Sequence, residues 1–279
     1  MKNKVSNNGE MPKTIEETTV RPKLWLMALL LLATSASIMA QPNKPAPADA
    51  ATTDFLTLNN QANALDQSEQ HERAIELLKR AVRLAPKSAT TLRNLGVVYL
   101  NANQLLSAIE AFEQSLLLKA NDAETYFDLG LAYLGCGKYE AAVKALKQAN
   151  QLAPDSSGAT YNALGSAFAH LGRTEDAFAA YREAVKLNPD FAAAYTNLGI
   201  LQLTVGQRTE ASNSLEKAVR LTPNPAEAYF ALGVLSLIRQ DRTSALTQYS
   251  LLKKLSPELA DLLYRTIYVG AYVVDVKPK

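Results

Sequence analysis

The stretch NLGVVYLNANQLLSAIEAFEQSL, Asn94–Leu116, is answered 34 residues later by DLGLAYLGCGKYEAAVKALKQAN, Asp128–Asn150. Around the first copy the apolar residues Leu92, Leu95 and Tyr99, then Ile109, Phe112 and Leu116, fall three or four apart, the spacing of one buried face of a helix. Asn103 in one copy and Gly137 in the other stand between the two apolar stretches, where a helix ends in a left-handed residue. Each phrase therefore encodes two helices joined by a tight turn. A single such pair cannot bury its own apolar face, so a chain that repeats it must stack its units.

The register extends in both directions. Alanine recurs at Ala74, Ala108, Ala142, Ala177, Ala211 and Ala245, with spacings of 34, 34, 35, 34 and 34. Twelve residues before each lies Ala62, Gly96, Gly130, Gly165, Gly199 or Gly233, small enough for paired helices to approach closely. Twelve residues after come Pro86, Ala120, Pro154, Pro189, Pro223 and Pro257, and proline stops a helix from continuing. Six units follow, 55–88, 89–122, 123–156, 158–191, 192–225 and 226–259, with Ser157 as a one-residue insertion. On these landmarks the chain resembles the tetratricopeptide-repeat (TPR) family. The resemblance implies an all-α superhelical solenoid whose inner surface is lined by the first helix of each unit. Unit one departs from the pattern at Gln61, Ala62 and Glu69, and unit six at Gln240 and Leu252. Ser256 as N-cap with Pro257 and Glu258 behind it predicts a capping helix over 257–268, followed by a β-branched and aromatic tail, 269–279, that is a candidate for self-association.

Ahead of the repeats, Lys2, Lys4, Lys13, Arg21 and Lys23 precede the apolar run LWLMALLLLA, Leu24–Ala33, and small residues lead to Ala40. That order is the layout of a secretory signal peptide over 1–40, with cleavage after Ala36 or Ala40, and it points to a periplasmic or secreted protein. The competing reading is an uncleaved inner-membrane anchor, since a span needs about 17–25 apolar residues. Met11 is an alternative start. Between Gln41 and Asp54 three prolines among small residues read as a linker.

Removing residues 1–40 leaves 29 − 5 = 24 basic against 27 − 3 = 24 acidic residues, so the remainder is formally neutral. Nucleic-acid binding needs a concentrated basic surface to displace counterions, and no such stripe is written here. Cys136 is the only cysteine, and His71 and His170 are the only histidines, in separate units. No phosphate loop, nucleophile elbow or zinc-protease string occurs, so the sequence offers neither a catalytic set nor a cofactor or metal site.

What the sequence does offer is a variable lining. The second, fifth, ninth and twelfth positions of each unit read as the lining, and from these, with Asn94 and Asn197 one residue on from the fifth, the candidate groove residues are Asn94, Val97, Leu100, Phe127, Leu131, Leu134, Asn197, Ile200, Leu203, Phe230, Val234 and Leu237. Phe127 and Phe230 would anchor an apolar partner segment, and Asn94 and Asn197 would hydrogen-bond its backbone. Some members of the family grip a C-terminal carboxylate with cations and amides. Here Asn59, Asn63 and Arg93 are the only residues suited to that, while Glu124 and Asp128 oppose it. The sequence thus points to a non-catalytic adaptor for a protein or peptide. A membrane-anchored assembly factor is the alternative if the N-terminal segment is retained.

Overall fold

The computed structural model describes residues 50–154 and 158–269, and every regular element among them is an α-helix. The helices pair as α1 (Ala50–Gln67) with α2 (His71–Leu84), α3 (Ala89–Asn101) with α4 (Leu105–Leu118), and α5 (Ala123–Gly135) with α6 (Tyr139–Leu152). The same holds for α7 (Gly158–His170) with α8 (Thr174–Leu187), α9 (Ala192–Thr204) with α10 (Arg208–Leu221), and α11 (Ala226–Ile238) with α12 (Arg242–Leu255). A thirteenth helix, α13 (Pro257–Val269), closes the stack as the cap. The apolar segment within 1–40, the insertion at Ser157 and the tail from residue 270 lie outside the described residues.

One boundary is corrected. Ala50–Asp54, expected to belong to the linker, forms the first turn and more of α1. No proline follows Pro47 before the repeats, and two adjacent alanines favour helix, so the helix extends back past the register of unit one.

The small landmarks lie inside. Ala74, Ala108, Ala142, Ala177, Ala211 and Ala245 are each 0% exposed, as is Ala62. At the glycine position an added Cβ would stand 2.5 Å from the Phe112 ring at Gly96, 2.5 Å from Leu146 at Gly130, 2.5 Å from the Tyr181 ring at Gly165 and 2.7 Å from Leu215 at Gly199. Each glycine is the socket for the large side chain sixteen residues on. Unit six breaks this rule: Gly233 receives Leu263 of α13 instead, with Cδ2 2.5 Å from the added Cβ. The cap therefore inserts a knob where the unit's own second helix would have placed Tyr249, and only Ala245 and Leu252 of α12 are buried.

All six turns are closed in the same way. The N–H groups of Gln70, Gln104, Lys138, Arg173, Gln207 and Asp241 donate to the carbonyls of Leu65, Tyr99, Tyr133, Phe168, Gln202 and Ser236, a Schellman closure at the end of each first helix. The residue before each donor takes positive φ: Gly137, Gly172 and Gly206 where glycine stands, and Glu69, Asn103 and Gln240 where it does not. Closing every pair by one geometry keeps the first helices on one side of the stack. That is what creates a continuous lining.

Candidate functional site

Among the first helices, α1 is tied to α3, α3 to α5 and α7 to α9 by polar side chains one repeat plus one residue apart. Asn94 Nδ2 donates to Asn59 Oδ1 at 3.1 Å, Arg93 Nε to Asp128 Oδ2 at 3.0 Å, Asn101 Nδ2 to Asp66 Oδ2 at 2.7 Å and Asn197 Nδ2 to Asn162 Oδ1 at 2.9 Å. In each case the two residues are 35 apart in sequence. Asn59 also donates to Thr91 Oγ1 at 3.1 Å, and Thr91 to Ser88 Oγ at 2.9 Å, joining the ladder to the N-cap of α3. A polar group on one first helix is thus satisfied by the next, which the low dielectric between packed helices makes important. Asn94 and Asn197, expected to address a partner's backbone, commit a donor to this ladder.

The electrostatics of the first three units follow from the same contacts. Arg93 pairs with Glu124 as well as Asp128, so the cation of α3 meets two carboxylates from the next unit. Burial pushes the Asp128 carboxyl up to about 6, outweighing the attraction of Arg93. Burial works against the Arg93 charge too, but Asp128 and Glu124 outweigh it and raise its pKa. A guanidinium held this way is not available to grip a free carboxylate. Among α1, α3, α5, α7, α9 and α11, Arg93 is also the only Lys or Arg, whereas Asp54, Asp66, Glu124, Asp128 and Glu227 are acidic.

The apolar lining divides into two halves. In α3 and α5, Asn94, Val97, Leu100, Phe127 and Leu131 are half-buried, while Leu134 is buried. Farther along, Asn197, Ile200 and Phe230 are 0% exposed, Leu203 and Val234 are buried, and Leu237 is half-buried. The structure thus brings an accessible strip together in units two and three and encloses most of the other residues. The histidines stand apart from both. His71 Nδ1 lies 2.7 Å from Asp66 Oδ1, and His170 stacks on Tyr139 at 4.4 Å between ring centroids, its pKa lowered by burial. Among the described residues no cluster of His, Cys, Asp and Glu could hold a metal ion. Nor is any described helix long and apolar enough to cross a membrane.

Tetratricopeptide-repeat family models match residues 54–121, 123–156, 165–206 and 196–260. The chain belongs to the tetratricopeptide-repeat family. Its TPR solenoid is similar to the structure described in a functional characterization of Pseudomonas aeruginosa pilF, with a TM-score of 0.67 and 19% identity over 79% of this chain and 99% of that one. It is also similar to a thermophilic TPR protein of Thermus thermophilus, with a TM-score of 0.57 and 23% identity over 65% of this chain and 100% of the other. MamA from Desulfovibrio magneticus RS-1 shares the fold with a TM-score of 0.56 and 21% identity, over 60% and 94% of the two chains. At these identities the likeness is one of fold. No curated protein matches the sequence. The TPR fold supports, in general terms, a scaffold for protein interaction.

Proposed function

We propose that this protein is a non-catalytic adaptor that holds a polypeptide segment in the concave groove of its TPR solenoid, and that it does so after export. The observation that carries the reading is the strip formed by Val97, Leu100, Phe127 and Leu131, half-buried on two adjacent first helices and edged by Asn94 and the Arg93–Glu124 pair. Apolar residues on a preformed, ladder-stiffened surface suit an amphipathic helix or an extended segment, whose side chains they desolvate. The partner class is neutral or basic at its contact, because the cation of the lining is already neutralised and Glu124 remains solvated. Export is supported by the charge, apolar and small-residue order of residues 1–40.

The test compares partners captured from the cell envelope by the wild-type chain with those captured by a Phe127→Ala/Leu131→Ala variant. Loss of one reproducible polypeptide, with the urea midpoint changed little, supports the groove. Undiminished capture by a folded variant removes it. Fractionation of the same cells separates the two forms of the reading: release at low salt agrees with an exported adaptor, and extraction by detergent alone assigns a membrane-anchored assembly factor.

A further inference from the structure

Two of the second helices are opposite in charge. Of α2, α4, α6, α8, α10 and α12, α4 alone carries no Lys or Arg, and α12 alone carries no Asp or Glu. On α4 the exposed residues Leu106, Glu110, Glu113 and Leu117 recur every three or four positions, so they form one stripe along the helix. The two leucines are 63% and 85% exposed, and the Tyr133 hydroxyl donates to Glu113 Oε1 at 2.7 Å, which steadies that carboxylate on the stripe.

The cations of α12 stand beside the cap. Between α12 and α13 an open cavity of about 330 Å³ is lined in part by Tyr249, Lys253, Asp261 and Tyr264. Tyr264 packs against the rings of Tyr249 and Tyr268, with centroids 5.5 and 4.5 Å away, and Tyr264 and Tyr268 are both exposed, although a terminal cap that meets only water is normally polar. Arg242 lies over the Tyr268 ring at 4.6 Å and Lys253 over the Tyr249 ring at 5.9 Å. Asp261, the carboxylate of that lining, is already paired with Arg265 at 2.8 Å. Neither Arg242 nor Lys253 has a carboxylate partner among the described residues.

We propose that the protein self-associates, with the α4 stripe of one copy seated in the α12–α13 groove of another. Charge is complementary: a helix with two carboxylates and no cation meets a helix with three cations and no carboxylate. Length is complementary too. Leu106 to Leu117 and Arg242 to Lys253 are each a step of eleven residues, about 16 Å of helix, so the stripe spans the groove from end to end. Its leucines then cover tyrosine rings, while Glu110 and Glu113 lie between the two cations, within reach of their long side chains. The stripe and the groove belong to units two and six of one stack, so a single chain cannot bring them together. Nor does the stripe suit pairing with itself, because the glutamates at its centre would face the same carboxylates of the second copy. One helix in one groove is a small contact between unlike surfaces, hence weak and sensitive to salt.

Sedimentation of the purified protein tests this. At low salt the average mass should rise above that of one chain as concentration goes from micromolar towards millimolar, and added salt should lower it. Leu106→Thr/Leu117→Lys removes the stripe, Arg242→Glu/Lys253→Glu reverses the groove, and each variant alone should stay monomeric. Mixed in equal amounts, the two should form a complex of one chain of each and nothing larger, because the first keeps its groove and the second its stripe. Should the leucine variant fail to fold, Glu110→Lys, which places there the residue type that unit three carries at Lys144, should weaken association several-fold by itself. A wild type that stays monomeric, a variant that associates as the wild type does, or a mixture that forms no complex overturns the proposal. Phe127 and Leu131 take no part in this contact, so capture of a partner in the concave groove stands or falls separately.

Discussion

Arg93 of the second unit reaches into the third and donates from Nε to Asp128 Oδ2 at 3.0 Å, while Asp128 is buried and Arg93 remains partly open. Burial raises the Asp128 carboxyl to about 6 even so. An acid whose pKa is higher in the folded chain than in the unfolded one binds more protons when folded. Its contribution to stability is present below pH about 4 and is lost as pH rises to about 6. Two pH units correspond to at most roughly 3 kcal/mol. Urea midpoints between pH 4 and pH 7 should therefore fall by more in the wild type than in Asp128→Asn. Parallel pH profiles for the two proteins would contradict this account of the pair.

Gly165 and Tyr181 form a tight socket in the centre of the array, the ring standing 2.5 Å from where a Cβ would be. Tyr181 is fully buried and donates its hydroxyl to Ser166 Oγ at 3.2 Å, so the ring has little room to retreat. Gly165→Ala should cost about 1–3 kcal/mol by overpacking. Tyr181→Leu in the same chain should recover part of that loss, because the two changes meet at one contact. A double-mutant cycle on thermal midpoints that shows simple additivity would separate the residues.

Much of this architecture is written locally. The six alanines of the register are fully enclosed, and the positive-φ turn falls at Gly137, Gly172, Gly206 and Asn103, as the residue types require. What was not legible depends on contacts between elements that no period records. Leu263 filling the Gly233 socket is one such case, since a repeat-by-repeat reading assigns that place to Tyr249. Asn94 and Asn197 are another: position alone marked them as lining residues, but only the neighbouring unit shows that Asn59 and Asn162 take one of their donors. The burial of Ile200 and Phe230 was illegible too, because a lining position in one unit does not by itself fix how exposed its side chain is.

Glu69 and Gln240 hold the left-handed turn at φ 59° and 61°, where four other units use glycine or asparagine. A side chain with a Cβ in that region costs about 1 kcal/mol relative to glycine, offset in part by the greater freedom of glycine in the unfolded chain. Glu69→Gly and Gln240→Gly should each raise stability by up to about 1 kcal/mol, with the closing bond from Gln70 or Asp241 retained. Chemical denaturation of the single variants checks this. Destabilisation of either would mean that its side chain contributes more than the turn geometry indicates.

The outer surface of unit two departs from the other five. Leu106 and Leu117 on α4 are 63% and 85% exposed. The equivalent positions carry Glu72, Glu140, Glu175, Thr209 and Thr243 in one case, and Arg83, Gln151, Lys186, Arg220 and Lys254 in the other. Five units thus act as an internal standard for what the repeat needs there, and it does not need an apolar group. Leu106→Thr with Leu117→Lys should change stability by less than about 0.5 kcal/mol, as exposed substitutions usually do, and the new lysine sits four residues after Glu113 in a favourable orientation. Retention on a hydrophobic-interaction column should fall at the same time, since both side chains meet solvent. A loss of about 2 kcal/mol or more would show that the leucines pack against the fold and are not exposed side chains of the convex face.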